Sequence, residues 1–320
     1  MVLYHAWLGK PLWMWLTFLG VVATLMVVDL GLLHRKHREI GVAESLKLSV
    51  AYIGLGVLFG GWVWWELGAT SGMQYLTGFA VEKALAMDNV FVIAMIFSFF
   101  SVPRKYQHRV LFWGILGVIV LRALMIGLGA AVVNEFEWVL YLFAVFLVAT
   151  GVKMLWATDH GYDVAKNPIL TWLRRHLNVT KEHHEEKFFV RQQHPTTKRL
   201  TWFVTPLFLA LVMIELADVI FAVDSIPAIF AITTDPYIVY TSNIFAILGL
   251  RALYFALAAM VHRFTYLKQA LAVVLIFIGS KIFIAPLLGL EKLPPAFSLG
   301  VTVAILAAGV AYSLYKTRKQ

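Results

Sequence analysis

Five acidic residues stand inside long apolar stretches of this 320-residue chain: Glu82 and Asp88 in one stretch, and Glu215, Asp218 and Asp224 in another. Asp29 stands near the end of a third. An Asp at the centre of a membrane helix costs roughly 2.5–3.5 kcal/mol, so three acids in one helix cost on the order of 8–10 kcal/mol. Residues kept at such a cost mark ion paths or proton relays. The blander reading is ion pairing with Lys83, Arg122, Arg251 and Lys281, which is compatible with transport. Arg122 and Arg251 could be tethered cations that neutralise the acids of an empty site, or static partners. Asn89, Ser225, Asn243 and backbone carbonyls would complete a set of oxygen donors, suited to Mg2+, Ca2+ or Mn2+. No His lies deep in an apolar stretch, which argues against zinc and copper. Met87 adjoins Asp88, and Met213 lies two before Glu215; a thioether would favour the softer Mn2+, although Met in such a stretch more often only packs. Carboxylates also carry protons, so exchange of a cation for protons is an expected coupling.

The elements that hold these residues are read from the composition. The chain is 61% hydrophobic and 14% charged, with mean hydropathy +0.79. A soluble chain runs nearer about 45–50% apolar and about 25% charged. The expected fold is an all-α polytopic membrane protein in contact with the lipid bilayer. Nine spans are expected, at 12–33, 48–66, 75–101, 110–132, 137–156, 203–233, 238–260, 269–288 and 297–315. The first is not read as a cleaved signal peptide, because its basic cluster (Arg35, Lys36, Arg38) follows the apolar run and no small-residue cleavage site is evident. Basic loops alternate with loops poor in Lys and Arg, which places the N-terminus outside and the C-terminus in the cytoplasm. The net charge of +9 thus sets orientation, and no nucleic-acid partner is expected. With no cysteine, disulfide scaffolds, thiolate metal sites and thiol catalysis are excluded.

Two blocks of the chain match each other. Glu82-Lys-Ala-Leu-Ala-Met-Asp88-Asn89 parallels Asp218-Val-Ile-Phe-Ala-Val-Asp224-Ser225; Leu121-Arg122-Ala-Leu parallels Leu250-Arg251-Ala-Leu; Gly151-Val-Lys153 parallels Gly279-Ser-Lys281. Each block covers three spans, so the second enters the membrane from the opposite side. Inverted three-plus-three repeats are a transporter architecture with a midplane site. The expected organisation is 1–74 (helices 1 and 2), 75–156 (first repeat), 157–200 (cytoplasmic His-rich loop), 201–290 (second repeat) and 291–320 (helix 9). Six residues turn a straight helix through about 600°, leaving the two acids of each block about 120° apart. Pro227 is expected to break its helix near 222–227 and let them converge; Gly78 could ease the other helix.

The segment 157–200 holds His160, His176, His183, His184 and His194. It could gather metal, though solvated charge is the commoner explanation. Pro168 and Ile169-Leu-Thr-Trp172-Leu173 suggest a short surface helix. A zinc-protease motif fails at Phe188, and no enzyme activity is expected.

The strings around Glu82-Lys83-Ala-Leu-Ala-Met-Asp88-Asn89-Val-Phe, Phe188-Phe-Val-Arg191, Glu215-Leu-Ala-Asp218-Val-Ile-Phe-Ala-Val-Asp224-Ser225-Ile-Pro227 and Thr241-Ser-Asn243-Ile-Phe-Ala-Ile-Leu-Gly-Leu-Arg251 resemble the TerC/Alx family of bacterial inner-membrane proteins. That family is named for tellurite resistance and belongs to the LysE-like transporter group. The resemblance runs from Asp29 to the last span and is closer to the Alx-like members. It implies Mn2+ export with Mn2+ as the transported ion and no prosthetic group. It also implies a link to alkaline pH and, for TerC-like members, metal supply to secreted enzymes. The ion-site residues it implies are Asp29, Glu82, Asp88, Asn89, Glu215, Asp218, Asp224 and Ser225, followed by Asn243 and Arg251. The rival readings are a Ca2+ transporter and a membrane scaffold serving the secretion machinery.

Overall fold

The computed structural model describes residues 6–33, 42–156, 164–180, 182, 184–193, 198–257, 267–290 and 293–317. The side chains of Asp29 and Asp88 fall outside what is described, as do His160, His183 and His194. The fold is all-α apart from two small hairpins. After β1 (Ala6–Trp7) and β2 (Lys10–Pro11) come α1 (Leu12–Leu33), α2 (Val42–Leu67), α3 (Ala69–Phe99), α4 (Arg104–Glu135) and α5 (Val139–Trp156). A cap of α6 (Pro168–His176), β3 (Phe189–Gln193) and β4 (Leu200–Val204) follows. The chain then continues through α7 (Pro206–Phe230), α8 (Pro236–Leu248), α9 (Leu250–Leu257), α10 (Leu267–Leu287) and α11 (Pro295–Thr317).

Each expected span coincides with a helix, or with the pair α8 and α9. Seven of these helical stretches, α2, α4, α5, α7, α8 with α9, α10 and α11, are long and apolar enough among the described residues to cross a membrane. α1 is apolar over a shorter described stretch, and α3 carries Glu82, Lys83 and Asp88. The surface of α4 explains why this fold suits lipid. Val120, Leu124 and Leu128 form an exposed apolar stripe, while Arg122 on the opposite side is buried. Apolar residues outside and a charge inside invert the pattern of a water-soluble helix.

Small residues let these helices approach closely. Only Gly68, at φ +86°, separates α2 from α3, a left-handed conformation that glycine adopts without strain. α5 and α10 pack with their backbones in contact. A Cβ on Gly151 would lie 2.7 Å from the Ala272 carbonyl oxygen and would also meet Ile276; one on Gly279 would lie 2.7 Å from the Ala144 carbonyl oxygen and would meet Val148. Ala272 and Ile276 precede Gly279 by seven and three residues, as Ala144 and Val148 precede Gly151. Exchanging the two helices therefore exchanges the contacts.

Three features differ from the sequence expectation. α7 runs unbroken through Pro227. The break falls at Gly249 instead, between α8 and α9. Residues 200–204, partly assigned to a span, form β4, which pairs antiparallel with β3 and closes the cap. Within the cap the expected surface helix is α6. Asn167 accepts hydrogen bonds from the Ile169 and Leu170 N–H groups, and Pro168 opens the first turn. Leu170 and Leu173 pack into the core with Val164 and Val204, while Ile169 and Trp172 stay exposed.

Candidate functional site

Four helices meet around one guanidinium. Arg122, on α4, is 1% exposed and is the bulkiest fully buried side chain among the described residues. Its Nε and Nη2 donate to the two carboxylate oxygens of Asp218 on α7, at 3.1 and 3.0 Å. Its Nη1 donates to Glu82 Oε1 on α3 at 2.8 Å, to Ser225 Oγ at 2.7 Å and, more weakly, to Asn243 Oδ1 on α8 at 3.4 Å. Bidentate pairing of this kind is the strong, directional use of Arg. One cation thus holds two acids drawn from the two matching blocks. Asp218 and Ser225 share a face because seven residues bring a helix almost back to its starting angle.

The network is not saturated. Among the described residues, Glu82 Oε2, Asn89 Oδ1, Glu215 Oε2 and Asn243 Nδ2 are buried without a hydrogen-bond partner. Unpaired buried polar atoms are costly and mark places where something else can bind. Glu215, one turn before Asp218, lies against α4 at Gly117; a Cβ there would collide with its carboxylate. Asp224 faces away from Arg122, toward Thr150 and Lys153 of α5. The rotation read from the six-residue spacing therefore holds for Asp218 and Asp224, and the convergence expected from a break at Pro227 does not occur, because the helix runs unbroken through it. Among the described residues no three of His, Asp and Glu are gathered closely enough to hold a metal together. The guanidinium stands between the acids instead.

The other expected ion-pair residues have distinct places. Lys83 donates to the Ala246 carbonyl at 2.9 Å. Ending α8 at Gly249 frees carbonyls of its last turn, and Lys83 takes up that one. Gly249 is pressed close: a Cβ there would be 2.9 Å from Lys83 Nζ and from Tyr52 Cβ. Arg251 is buried just beyond the break. Lys281 lines a cavity of about 560 Å³ with Thr70, Gln74, Thr77, Glu137 and Phe230. This vestibule lies at the helix ends that the loop-charge expectation assigns to the outside. Its floor residues Thr77 and Phe230 precede Glu82 and follow Ser225 by five residues, about 7.5 Å along each helix. Gly78 does not soften α3; it lets Ser242 of α8 approach, with Oγ 3.0 Å from where a Cβ would be. The sequence reading missed Gly117, Thr150 and the Gly249 break. Only the glycines carried a local signal.

An all-α polytopic membrane protein with a buried site of acids, amides and one arginine is the class that fold and site define. The model of the integral membrane protein TerC family matches residues 67–320, and the chain belongs to that family. It is 47% identical over 302 residues to an uncharacterized membrane protein of Rickettsia bellii, covering 94% of this chain and 97% of that one. Over 310 residues it is 42% identical to an uncharacterized membrane protein of Myxococcus xanthus, covering 97% and 94%. It is 47% identical over 307 residues to the "Putative membrane-bound redox modulator Alx" of Escherichia coli, covering 93% and 92%. No solved structure matches the chain.

Proposed function

We propose that the protein exports Mn2+ from the cytoplasm across the bacterial inner membrane, through the site around Glu82 and Asp218, with protons as the coupling ion. The observation that carries this reading is the buried pair of acids held by Arg122 with unpaired oxygens left over. A tethered cation can leave such a pair when a divalent ion enters. Glu82, Asp218, Ser225, Asn89 and Asn243 would then offer oxygen donors, with Glu215 one turn away, and such donors suit a hard or borderline ion. The reciprocal packing of α5 and α10 supports the inverted repeat, and repeats that rock about a fixed midplane site are the usual route to alternating access. The N-terminus is placed outside and the C-terminus in the cytoplasm, and nine spans follow if α1 and α3 both cross.

Relatives named for redox modulation invite a different reading. This chain has no cysteine, hence no thiol to carry electrons, and we take a redox effect to follow from altered metal levels. The test is Mn2+ flux by purified protein in vesicles with an imposed pH gradient. Glu82→Gln and Asp218→Asn should abolish flux, and Asp88→Asn and Asp224→Asn should impair it. Flux that survives in all four removes the proposed site. Ca2+ flux in preference to Mn2+ would establish the rival cargo. Absence of flux by the purified protein, with metal supply to secreted enzymes lost on deletion of the 164–204 cap but kept in the four acid variants, would favour the scaffold.

A further inference from the structure

We infer that Arg122 and Arg251 take turns as the counter-cation of one shared acid pair, Arg122 in the conformation described and Arg251 in its opposite-facing counterpart. The inference rests on the transport reading and names how the empty site changes sides. Under the internal match, Glu82 corresponds to Asp218, Asn89 to Ser225 and Arg122 to Arg251. The acid pair is thus its own image, yet the arginine holding it comes from one block. If each block took up the other's conformation, Arg251 would bond both oxygens of Glu82, one oxygen of Asp218, and Asn89.

The two acceptors that this adds, Glu82 Oε2 and Asn89 Oδ1, are unpaired among the described residues. Asp218 uses both oxygens on Arg122, whereas Glu82 uses one, and Glu82 Oε2 is buried without a hydrogen-bond partner among the described residues. Ser225 accepts from Arg122 at 2.7 Å, whereas Asn89 Oδ1, at its matching position, has none among the described residues. The two blocks also differ where the arginines sit. α4 runs unbroken past Arg122, while its counterpart breaks at Gly249, two residues before Arg251. That break is held beside Glu82, because the adjacent Lys83 donates to Ala246 and lies 2.9 Å from where a Gly249 Cβ would be. Straightening α8 into α9 would release Lys83 and move Arg251.

The cysteine-free chain allows a direct test. A single reporter, Thr234→Cys, lies in the vestibule, which an opposite-facing state closes. Its labelling by a membrane-impermeant maleimide is measured in vesicles with chelator and no metal. Ser225→Ala removes a charge-assisted bond from the Arg122 state and should lower the ratio of outward- to opposite-facing protein about tenfold or more, at 1.4 kcal/mol per factor of ten, so that labelling slows in step with the outward-facing fraction. Asn89→Ala removes the matching bond from the Arg251 state and should leave labelling equal or faster. The double variant should return toward wild type. Slowing by Asn89→Ala, no slowing by Ser225→Ala, or a double variant slower than either overturns the exchange. Both substitutions are mild, and the readout contains no metal. An overturned exchange with intact Mn2+ flux therefore leaves the transport proposal standing, and the reverse result leaves the exchange standing.

Discussion

Arg122 is the residue on which stability and function meet. Its removal leaves Glu82 and Asp218 buried without the cation that now bonds them, and breaking a buried ion pair from one side typically costs about 3–5 kcal/mol. Arg122→Ala should therefore unfold in detergent at a much lower temperature than wild type. Combining Arg122→Met with Glu82→Gln and Asp218→Asn should recover most of that loss, because the penalty comes from the stranded charges. Equal melting of the single and triple variants would show that packing around the side chain matters more than charge. Gly117 poses a subtler case. Any side chain there displaces the Glu215 carboxylate, and misplacing a binding group by an ångström can cost on the order of 100-fold. If Glu215 takes part in transport, Gly117→Ala should slow Mn2+ flux at subsaturating metal and leave thermal unfolding nearly unchanged.

At the scale of elements, α5 and α10 make the most specific packing prediction. Gly151 and Gly279 each admit a carbonyl of the opposite helix at a distance that a Cβ would not allow. Gly151→Val and Gly279→Val should destabilise by similar amounts, and the double variant should cost less than their sum, since one separation of the helices serves both. Additive costs would mean that the two contacts are independent. The same elements show which parts of the fold were legible. Apolar runs located the helices because burial in lipid demands about 20 apolar residues in succession. The matching strings paired Gly151 with Gly279 before any contact was known. The run from Thr201 to Val204 misled, because a strand and the start of an apolar helix look alike over so few residues. Pro227 misled as well: a proline removes one hydrogen bond, but α7 stays helical through it, with Ser225 to Phe230 all buried. Residue types in the site were legible, as was the rotation separating Asp218 from Asp224. That Arg122 would join acids of both blocks was not, since it depends on which helices lie side by side.

For the whole molecule, sidedness decides what the vestibule and the cap can do. Lys and Arg gather at the start of α4 (Arg104, Lys105, Arg109) and in the cap, and the proposed orientation puts these basic stretches on the cytoplasmic side; Arg109 pairs with Glu186 of the cap at 3.3 Å. The turn between α4 and α5 has no Lys or Arg, and it borders the vestibule through Asn134 and Glu137. On the proposed orientation the cavity is the outer mouth, and the site would be reached from the cytoplasm only after α3, α7 and their neighbours move. Because the chain lacks cysteine, one introduced thiol reports one position. In intact inner-membrane vesicles of known orientation, Glu137→Cys should react with an impermeant reagent from the periplasmic side. Glu185→Cys, exposed on the cap, should react only from the cytoplasmic side. The reverse pattern would turn the vestibule into an entry for cytoplasmic metal and make the described conformation inward-facing. Export would then require Arg122 to guard the loading step, and Arg251 the release.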